Sequence, residues 1–403
     1  MPQIKPEVEA FARIKVLGVG GSGKNAVNHM INSRVKGVDF ISINTDAQDL
    51  HHSLAKKKIH IGKNLTQGLG TGMNPELGRR AVEETKEEIQ EAIKGADMVF
   101  IACGMGGGTG TGAAPVIAHT AKEAGCLTVA VVTKPFFFEG VQRMKIAEQG
   151  IDELRQAVDA LILIPNDRLL ATIDKDTTAK NAFATCDNIL RQAVEGISNL
   201  ITTPGIINID FADIRAVMEN AGAALMGIGH ASGDKRAEEA ARLAISSPLL
   251  EVSINGAKGV LFSIAGGDDL TMFEIQDAAR VITESVDPNA KIIFGTVKDE
   301  KLKKGEVKVT VIASNFPENN QKRSTPLFQS NSNNDDKGKI FNGFSSFGKT
   351  GDKPTTDTIT TKKVETAPTP APAPAPTPAP SKEDDNDDDW GAVPAFLRRS
   401  KLK

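Results

Sequence analysis

The chain has 403 residues and a formal net charge of -3, so its length predicts two globular domains with additional chain, and its charge gives no reason to expect a nucleic-acid partner. The longest apolar runs are well short of the roughly 20 residues that cross a bilayer, and no leader pattern is present, which predicts a cytoplasmic protein without a membrane span. Three singly placed cysteines are expected to be reduced core residues: Cys103, Cys126 and Cys186.

The first part of the chain, from residue 13, alternates β-branched apolar runs with segments of helical spacing. This pattern is typical of an α/β fold with a mostly parallel sheet covered by helices. Five strands are predicted here: Ile14–Leu17, Val38–Ile43, Met98–Ala102, Leu127–Val132 and Leu161–Ile164. Apolar residues spaced three or four apart also predict one amphipathic helix that begins near Pro75 and runs through the segment "NPELGRRAVEETKEEIQEAI".

A long helical segment from 177 to 201 contains one glycine and no proline, and we expect it to divide two domains. The second domain then shows the same alternation of strands and helices. Its predicted strands are Ala223–Ile228, Gly259–Ile264, Ile292–Thr296 and Val307–Ile312, and its predicted helices are Arg236–Ile245 and Thr271–Ser285.

The composition changes after Ala313, where polar residues dominate and a Pro-Ala repeat then runs from Ala367 to Pro380. Such a sequence cannot build a core, so we expect a disordered linker over 317–389. Residues 390–403 combine clustered apolar side chains with a basic end, which favours a short docking peptide over a merely solvated tail.

The glycine-rich stretch "GVGGSGKNAV", at 18–27, follows the first predicted strand and fits two nucleotide-binding fingerprints imperfectly. It contains the GxGxxG turn of dinucleotide sites, and Asp46 lies where a ribose-binding acid is expected after the next strand. The GxxxxGK[ST] phosphate loop fails at one position, because Asn25 rather than Ser or Thr follows Lys24. Neither fingerprint alone identifies the ligand.

A second glycine-rich loop, "GMGGGTGTG" at 104–112, also leaves an apolar strand and enters a predicted helix. Its glycines expose backbone N–H groups, and the helix N-terminus adds about half a positive charge, so the loop is an anion cradle. Two cradles at the carboxyl ends of neighbouring parallel strands predict one shared polyphosphate. A third segment, "GLGTGMNPELG" at 68–78, either closes over the terminal phosphate or is a plain surface loop.

Ten motifs, taken in order, resemble the tubulin/FtsZ family of GTPases, and specifically its bacterial cell-division members. They are "GVGGSGKNAV", "NTDAQ", "GLGTGMNPELG", "GMGGGTGTGAAP", "FEG", "RM", "IPND", "NIDFADIR", "ISSPLLE" and the terminal "VPAFLRR". The resemblance implies a Rossmann-like, parallel-sheet GTP-binding domain over 13–176 after a flexible segment over 1–12. It further implies a long central helix over 177–203 and a smaller α+β domain over 204–316.

The resemblance also implies two loops that hold the phosphates of GTP or GDP. The first nucleotide loop is matched by residues 21–25, with Asn25 also near the guanine. Gly108, Thr109 and Gly110 match the centre of the signature loop that holds the β and γ phosphates. The expected contacts are Gly21, Ser22, Gly23, Lys24, Asn25, Gly108, Thr109 and Gly110. Ser22 and Lys24 stand where many relatives have glycine or asparagine. Lys24 either adds charge beside a phosphate or, as we expect, points to solvent.

Residues from three further segments match the nucleoside contacts of the family. Glu139 and Arg143 match the ribose side, although their four-residue spacing alone would indicate a surface ion pair. Asn166 and Asp187 match the base side, and Phe183 is expected to stack on the purine.

The residues expected to act on the attacking water lie in "NIDFADIR". By local pattern alone, Asp210 and Asp213 indicate an N-cap and a first-turn carboxylate of a helix. In the family this segment meets the nucleotide of the next subunit, so the resemblance implies that Asn208, Asp210 and Asp213 complete the site when copies stack head to tail. Such contacts do not close and therefore make filaments. Mg²⁺ is expected to offset phosphate charge during hydrolysis, and no metal ligand is assigned.

The resemblance therefore implies a self-assembling cytoskeletal GTPase of the bacterial division ring, on the inner face of the membrane. Membrane-tethering division adaptors are expected to bind Val393 to Arg399. Two alternatives stay open: a non-hydrolysing nucleotide-binding scaffold, which would not need Asp210 and Asp213, and an NAD-dependent oxidoreductase.

Overall fold

The computed structural model describes the chain in five segments, which are 12–170, 177–203, 205–250, 253–299 and 302–316. The predicted N-terminal segment up to residue 11, the linker and the docking peptide lie outside these described residues. The three cysteines are buried and free, as the sequence predicts. In the described segments, no helix combines the length and the apolar character that a bilayer-spanning helix needs.

The described residues form ten strands in a single sheet. They are β1 (Ile14–Val19), β2 (Val38–Asn44), β3 (Lys57–His60), β4 (Met98–Gly104), β5 (Leu127–Lys134), β6 (Ala160–Pro165), β7 (Gly222–Ser232), β8 (Gly259–Gly266), β9 (Lys291–Lys298) and β10 (Glu306–Ser314). Their order across the sheet is β3-β2-β1-β4-β5-β6-β7-β10-β8-β9.

The first seven strands pair in parallel, as do β8 and β9, whereas β10 is antiparallel to both of its neighbours. The predicted α/β fold with a mostly parallel sheet is therefore confirmed. The two halves of the sheet meet where residues 160–162 of β6 pair with residues 222–224 of β7. All nine predicted strands are present. The edge strand β3 was missed because Lys57 and Lys58 interrupt any apolar run, as charged residues commonly do at a sheet edge.

Helices cover both faces of the sheet in the described part of the chain. They are α1 (Gly20–Asn32), α2 (Ala47–His51), α3 (Lys63–Thr66), α4 (Pro75–Glu84), α5 (Lys86–Ile93), α6 (Thr109–Glu123), α7 (Val141–Ala157), α8 (Asn166–Leu170), α9 (Ala179–Thr202), α10 (Phe211–Met218), α11 (Arg236–Ile245) and α12 (Met272–Thr283). The three hydrophobic clusters that these helices bury against the sheet form the core.

The prediction of one continuous helix from Pro75 is wrong, because the helix is interrupted at Thr85, where φ is -119° and ψ is 23°. The Thr85 hydroxyl donates a hydrogen bond to the carbonyl oxygen of Ala81 at 3.1 Å. A threonine side chain that bonds one turn back competes with the backbone and bends a helix. The apolar spacing continues through the break, which is why the sequence pattern did not reveal it.

The long helix α9 crosses the sheet from one end to the other. Near its start, the Phe183 ring lies 5.3 Å from that of Phe136, which follows the carboxyl end of β5. Near its end, the Ser198 hydroxyl donates to the carbonyl of Lys36, just before β2 begins. The 24 residues of α9 rise about 36 Å in total. The helix therefore connects the carboxyl edge of the parallel strands to their amino edge.

Candidate functional site

The first glycine-rich loop turns directly from β1 into α1. Gly20 has a φ of 72°, a conformation that glycine adopts without strain, and residues 21–25 form the first turns of the helix. No side chain in the described residues caps α1, and its first turn holds no acidic residue. The first N–H groups of the helix thus provide donors and partial positive charge for an anion.

The second loop leaves the end of β4 and lies against the first loop. A Cβ atom at Gly20 would lie 3.1 Å from the amide nitrogen of Gly110, and one at Gly104 would lie 2.7 Å from the Ser22 hydroxyl. Gly108 precedes α6, which no side chain caps within the described residues. The two predicted cradles are therefore neighbours at the carboxyl edge of the sheet.

The third glycine-rich segment packs on the second loop rather than standing alone on the surface. The hydroxyl oxygens of Thr71 and Thr109 are 3.2 Å apart, and a Cβ atom at Gly108 would lie 2.7 Å from the amide nitrogen of Asn74. The Thr109 hydroxyl is also 2.8 Å from that of Thr45, which follows β2. Three loops therefore meet at Thr109, and the third segment lies against the second loop.

Lys24 is buried, so the expectation that it points to solvent is wrong. Its side chain is 8% exposed, and its Nζ atom lies 2.8 Å from Oδ1 of Asp49. The other carboxylate oxygen of Asp49 accepts a hydrogen bond from Nδ2 of Asn44 at 2.9 Å. The partner was missed because Asp49 lies 25 residues away in sequence, and no local pattern links an acid at that distance to a lysine.

Asn166 begins α8, and Asp187 lies in the first half of α9. Asn166 is 6% exposed, and its side-chain oxygen has no hydrogen-bond partner within the described residues. Burial raises the pKa of Asp187 to about 7, an effect that the positive charge of Lys24 opposes. Phe183 is partly buried on the same helix. An unsatisfied buried acceptor is unusual in a folded protein, and it is the group that a ligand N–H donor would satisfy.

Glu139 and Arg143 form a mostly buried pair rather than the surface pair that their spacing alone would indicate. Oε2 of Glu139 lies 2.8 Å from Nη1 of Arg143, and the side chains are 10% and 18% exposed. Oε1 of Glu139 accepts from the backbone N–H of Phe136. A Cβ atom at Gly106 would lie 2.9 Å from the carbonyl of Arg143, which places the pair beside the second loop.

The acidic segment, residues 205–213, lies at the opposite end of the sheet. Asn208 accepts from the amide of Gly205 at 2.7 Å, and Asp210 caps α10 by accepting from Ala212, while Asp213 is exposed.

Two contacts fix this position. Arg215 of α10 donates to the carbonyl of Gly125, just before β5 begins, and a Cβ atom at Gly37, just before β2, would lie 2.5 Å from the Thr202 hydroxyl. From Asp187 to Thr202 the helix α9 rises about 22 Å. The structure thus gathers the loop and nucleoside residues at one edge and leaves Asn208, Asp210 and Asp213 at the other.

The gathered residues suit a purine nucleotide with several phosphates. Backbone N–H groups at two helix N-termini attract phosphate oxygens, and glycines allow the ligand to approach the backbone closely. Asn166 and Asp187 offer acceptors, which match the N–H donors on the Watson–Crick edge of guanine. Asp49, Asn44, Thr45 and Thr71 also belong to this neighbourhood, and sequence reasoning assigned none of them.

The described part of the chain also matches known protein families and solved structures. The model of the tubulin/FtsZ family GTPase domain matches residues 13–174, and that of the FtsZ family C-terminal domain matches 222–317. An empty FtsZ dimer from M. jannaschii is 46% identical, with a TM-score of 0.73 over 76% of this chain and 89% of that chain. The chain belongs to the tubulin/FtsZ family. A GTPγS-bound CetZ2 protofilament from Haloferax volcanii, 20% identical with a TM-score of 0.63 over 75% of this chain and 92% of that chain, shares the fold.

Membership of the tubulin/FtsZ family decides between the fingerprints in the first loop. The family's GTPase domain binds GTP and GDP, and its match covers all three glycine-rich loops. The phosphate-loop and dinucleotide interpretations therefore give way to that of a tubulin/FtsZ GTPase. In the structure, the second and third glycine-rich loops lie beside the first at the carboxyl edge of the sheet, an arrangement that neither of those two fingerprints includes.

Proposed function

We propose that this tubulin/FtsZ-family GTPase assembles head to tail and hydrolyses GTP at the junction between two copies. The observation that carries the proposal is the separation of Asp210 and Asp213 from the nucleotide loops of the same molecule. Carboxylates about 20 Å from a bound nucleotide cannot position its attacking water. When copies stack with one amino edge on the next carboxyl edge, the two groups of residues meet.

Exposed apolar side chains at the two ends support the same stacking. Phe137 and Val141, beside the nucleoside pair, are each 73% exposed. At the other end, Ile206 in the acidic segment is 74% exposed, and Met272 and Phe273 at the start of α12 are 67% and 80% exposed. Large exposed apolar residues concentrated in patches mark interaction surfaces.

The position of α12 follows from the register of the sheet. The amide of Ile207 donates to the Thr296 hydroxyl of β9, so the acidic segment lies beside Thr296. The neighbouring strand β8 ends at Gly266, which pairs with Lys298 of β9, and then leads into α12. Met272 and Phe273, at the start of α12, therefore lie at the same end of the molecule as Ile206.

In the proposed junction, each residue group has a defined task. The loops bind and orient the triphosphate through backbone N–H groups, and Asn166 and Asp187 select guanine. Asp210 and Asp213 of the neighbouring copy orient water toward the terminal phosphate, with Asn208 holding the segment through its bond to Gly205. Loss of the terminal phosphate then removes the group that the two copies share, which weakens the junction.

We also propose Mg²⁺ as the metal of the reaction. Mg²⁺ commonly binds through one or two protein groups together with water and substrate phosphates. The available donors suit Mg²⁺, because the hydroxyls of Thr45, Thr71 and Thr109 converge beside the phosphate loops and are oxygen ligands. The ion would offset phosphate charge.

The remaining assignments extend this proposal along the chain. We propose the domain boundaries 13–176, 177–203 and 204–316, followed by a linker that tethers a docking peptide. That peptide would recruit filaments to membrane-bound adaptors and so place the GTPase in a division ring. Deleting 390–403 should abolish adaptor binding while leaving GTP turnover unchanged, and a loss of turnover would contradict the separation of tasks.

A complementation assay tests the junction directly. One variant, Asp213→Ala, lacks the acid, and a second, Asn166→Ala with Asp187→Ala, is weakened in base binding. Each variant alone should turn over little GTP. The turnover of a mixture should exceed the sum of the two separate turnovers, because the nucleotide loops of the first variant can meet the intact acids of the second. Light scattering should rise together with turnover. The Glu88→Ala variant, changed at an exposed acid of α5, is the matched control.

Two results would contradict the proposal. A mixture that equals the sum of its components would show that the acids do not act on a neighbour's nucleotide. Turnover strictly proportional to protein concentration would show that a single copy is sufficient. A chain that assembles with GTP but releases no phosphate would instead support the non-hydrolysing scaffold.

A further inference from the structure

The buried ion pair between Lys24 and Asp49 joins the first phosphate loop to the segment after β2. Its Nζ–Oδ1 distance is 2.8 Å, and the two side chains are 8% and 11% exposed. Asn44 holds the second oxygen of the carboxylate, and the amide of Asp49 donates to Asp46, the N-cap of α2. The Asp49 carboxylate is therefore held by Lys24 on one oxygen and by Asn44 on the other.

The carboxylate of Asp49 lies beside the first turn of α1. A Cβ atom at Gly21 would lie 3.5 Å from Oδ2 of Asp49, so a negative charge adjoins the backbone that is proposed to hold phosphates. Anions are stabilised at a helix N-terminus by its partial positive charge, and a neighbouring carboxylate opposes that attraction. Lys24, in the same turn, supplies the compensating charge.

Stability alone is a weak reason for such a pair. Burying two charges removes them from water, and replacing a buried pair with apolar residues is often neutral or stabilising. Burial raises the pKa of the base-side carboxyl Asp187, and the positive charge of Lys24 opposes that rise. Its charge thus acts on both the phosphate end and the base end of the nucleotide site.

We propose that Lys24 and Asp49 are a charge-compensating pair that sets the affinity of the site for the nucleotide polyphosphate, with Lys24 attracting the ligand and Asp49 limiting that attraction. The inference rests on the proposed nucleotide site and adds Asp49 to it as a residue that moderates affinity. Phosphate binding is tuned by the net charge of the pair rather than by either residue alone.

The two single substitutions should therefore shift affinity in opposite directions. Lys24→Met leaves the carboxylate uncompensated and should weaken GDP binding about tenfold, whereas Asp49→Asn leaves the ammonium uncompensated and should tighten it about tenfold. The double variant should return to within about twofold of the unmodified chain. Titration with GDP avoids turnover and tests affinity alone. The dependence on salt should decrease in Lys24→Met and increase in Asp49→Asn.

The matched control is Asp299→Asn, which removes the same charge from a similarly buried pair: Asp299 and Lys308 are 14% and 16% exposed. The Asp299→Asn variant should leave GDP affinity unchanged.

If the Lys24–Asp49 pair were merely structural, both of its single variants would bind GDP more weakly, and that result would overturn the inference. If Lys24→Met does not fold, Asp49→Asn tests the inference by itself: tighter GDP binding supports it, and weaker binding overturns it. If the unmodified chain binds no GDP, the proposed site itself is wrong.

Discussion

The nucleotide-loop edge of the sheet and the acidic segment at its other edge are built in opposite ways. At the loop edge, hydroxyls and glycines from three segments interlock around Thr109, which is 8% exposed. In the acidic segment, Asn208 accepts a hydrogen bond from the amide of Gly205 and Asp210 from that of Ala212, and both residues are exposed, as is Asp213. One edge is closely packed, whereas the other presents charges to solvent, where a second molecule can use them.

The largest effect should come from removing the exposed acids. Asp213→Ala should reduce GTP turnover about a hundredfold, because a positioned acid or base typically contributes at least that much. GTP binding should stay intact, since the site is about 20 Å from the loops of the same copy. Turnover and nucleotide binding are measured separately, and a parallel loss of binding would place the acid in its own molecule's site.

Asp210 requires its own control because it also caps α10. Asp210→Asn keeps a capping side chain and removes the charge, whereas Asp210→Ala removes both. Turnover should fall in both variants, but only Asp210→Ala should lose about 1 kcal/mol of stability in thermal or denaturant unfolding. Equal turnover in the unmodified chain and Asp210→Asn would restrict this residue to the capping role.

Two adjacent glycines test the tight packing of the loop edge. A Cβ atom at Gly108 would overlap the Thr71 hydroxyl and crowd Asn74, whereas one at Gly107 would meet nothing within 4 Å. Gly108→Ala should therefore destabilise the protein by about 2 kcal/mol, roughly a thirtyfold change in the folding equilibrium. Gly107→Ala should leave denaturant unfolding unchanged. Equal destabilisation by both would contradict the packing of the third loop on the second.

The exposed apolar residues should control assembly without affecting the site. Phe137→Ser and Phe273→Ser, at opposite ends, should each raise the protein concentration needed for assembly about tenfold, since each removes an apolar contact of about 1.5 kcal/mol. Leu243→Ser, on α11, is the control because Leu243 is also exposed, at 45%. Light scattering against protein concentration gives the result. An effect at only one end would contradict a head-to-tail contact.

The smallest effect concerns pH. Because burial raises the pKa of Asp187 to about 7 in the free protein, its ionised fraction falls about fivefold between pH 7 and pH 6. Guanine N–H donors bind an ionised carboxylate more strongly than a protonated one, so GDP affinity should fall by up to a similar factor as the pH decreases. Asp187→Asn cannot titrate and should flatten this profile. An unchanged profile in that variant would remove Asp187 from base recognition.

The sequence predicted the sheet well because strands buried on both faces appear as continuous apolar runs. The first six residues of β4 are all buried, and such a run is visible without any partner. Prediction was weaker where a single side chain changes the backbone, as at Thr85. It was wrong at Lys24, since the acid that buries this lysine comes from another element.

For this protein, the sequence by itself determined the alternation of strands and helices, the glycine-rich loops and the long helix α9. These features depend on local spacing and on backbone freedom, which neighbouring residues specify. Only the tertiary structure decided that Lys24 is paired with Asp49, that Asn166 has a buried unsatisfied oxygen, and that Asp210 and Asp213 lie at the far edge. Burial and charge at these positions depend on residues distant in sequence, which the packing of the whole sheet brings together or holds apart.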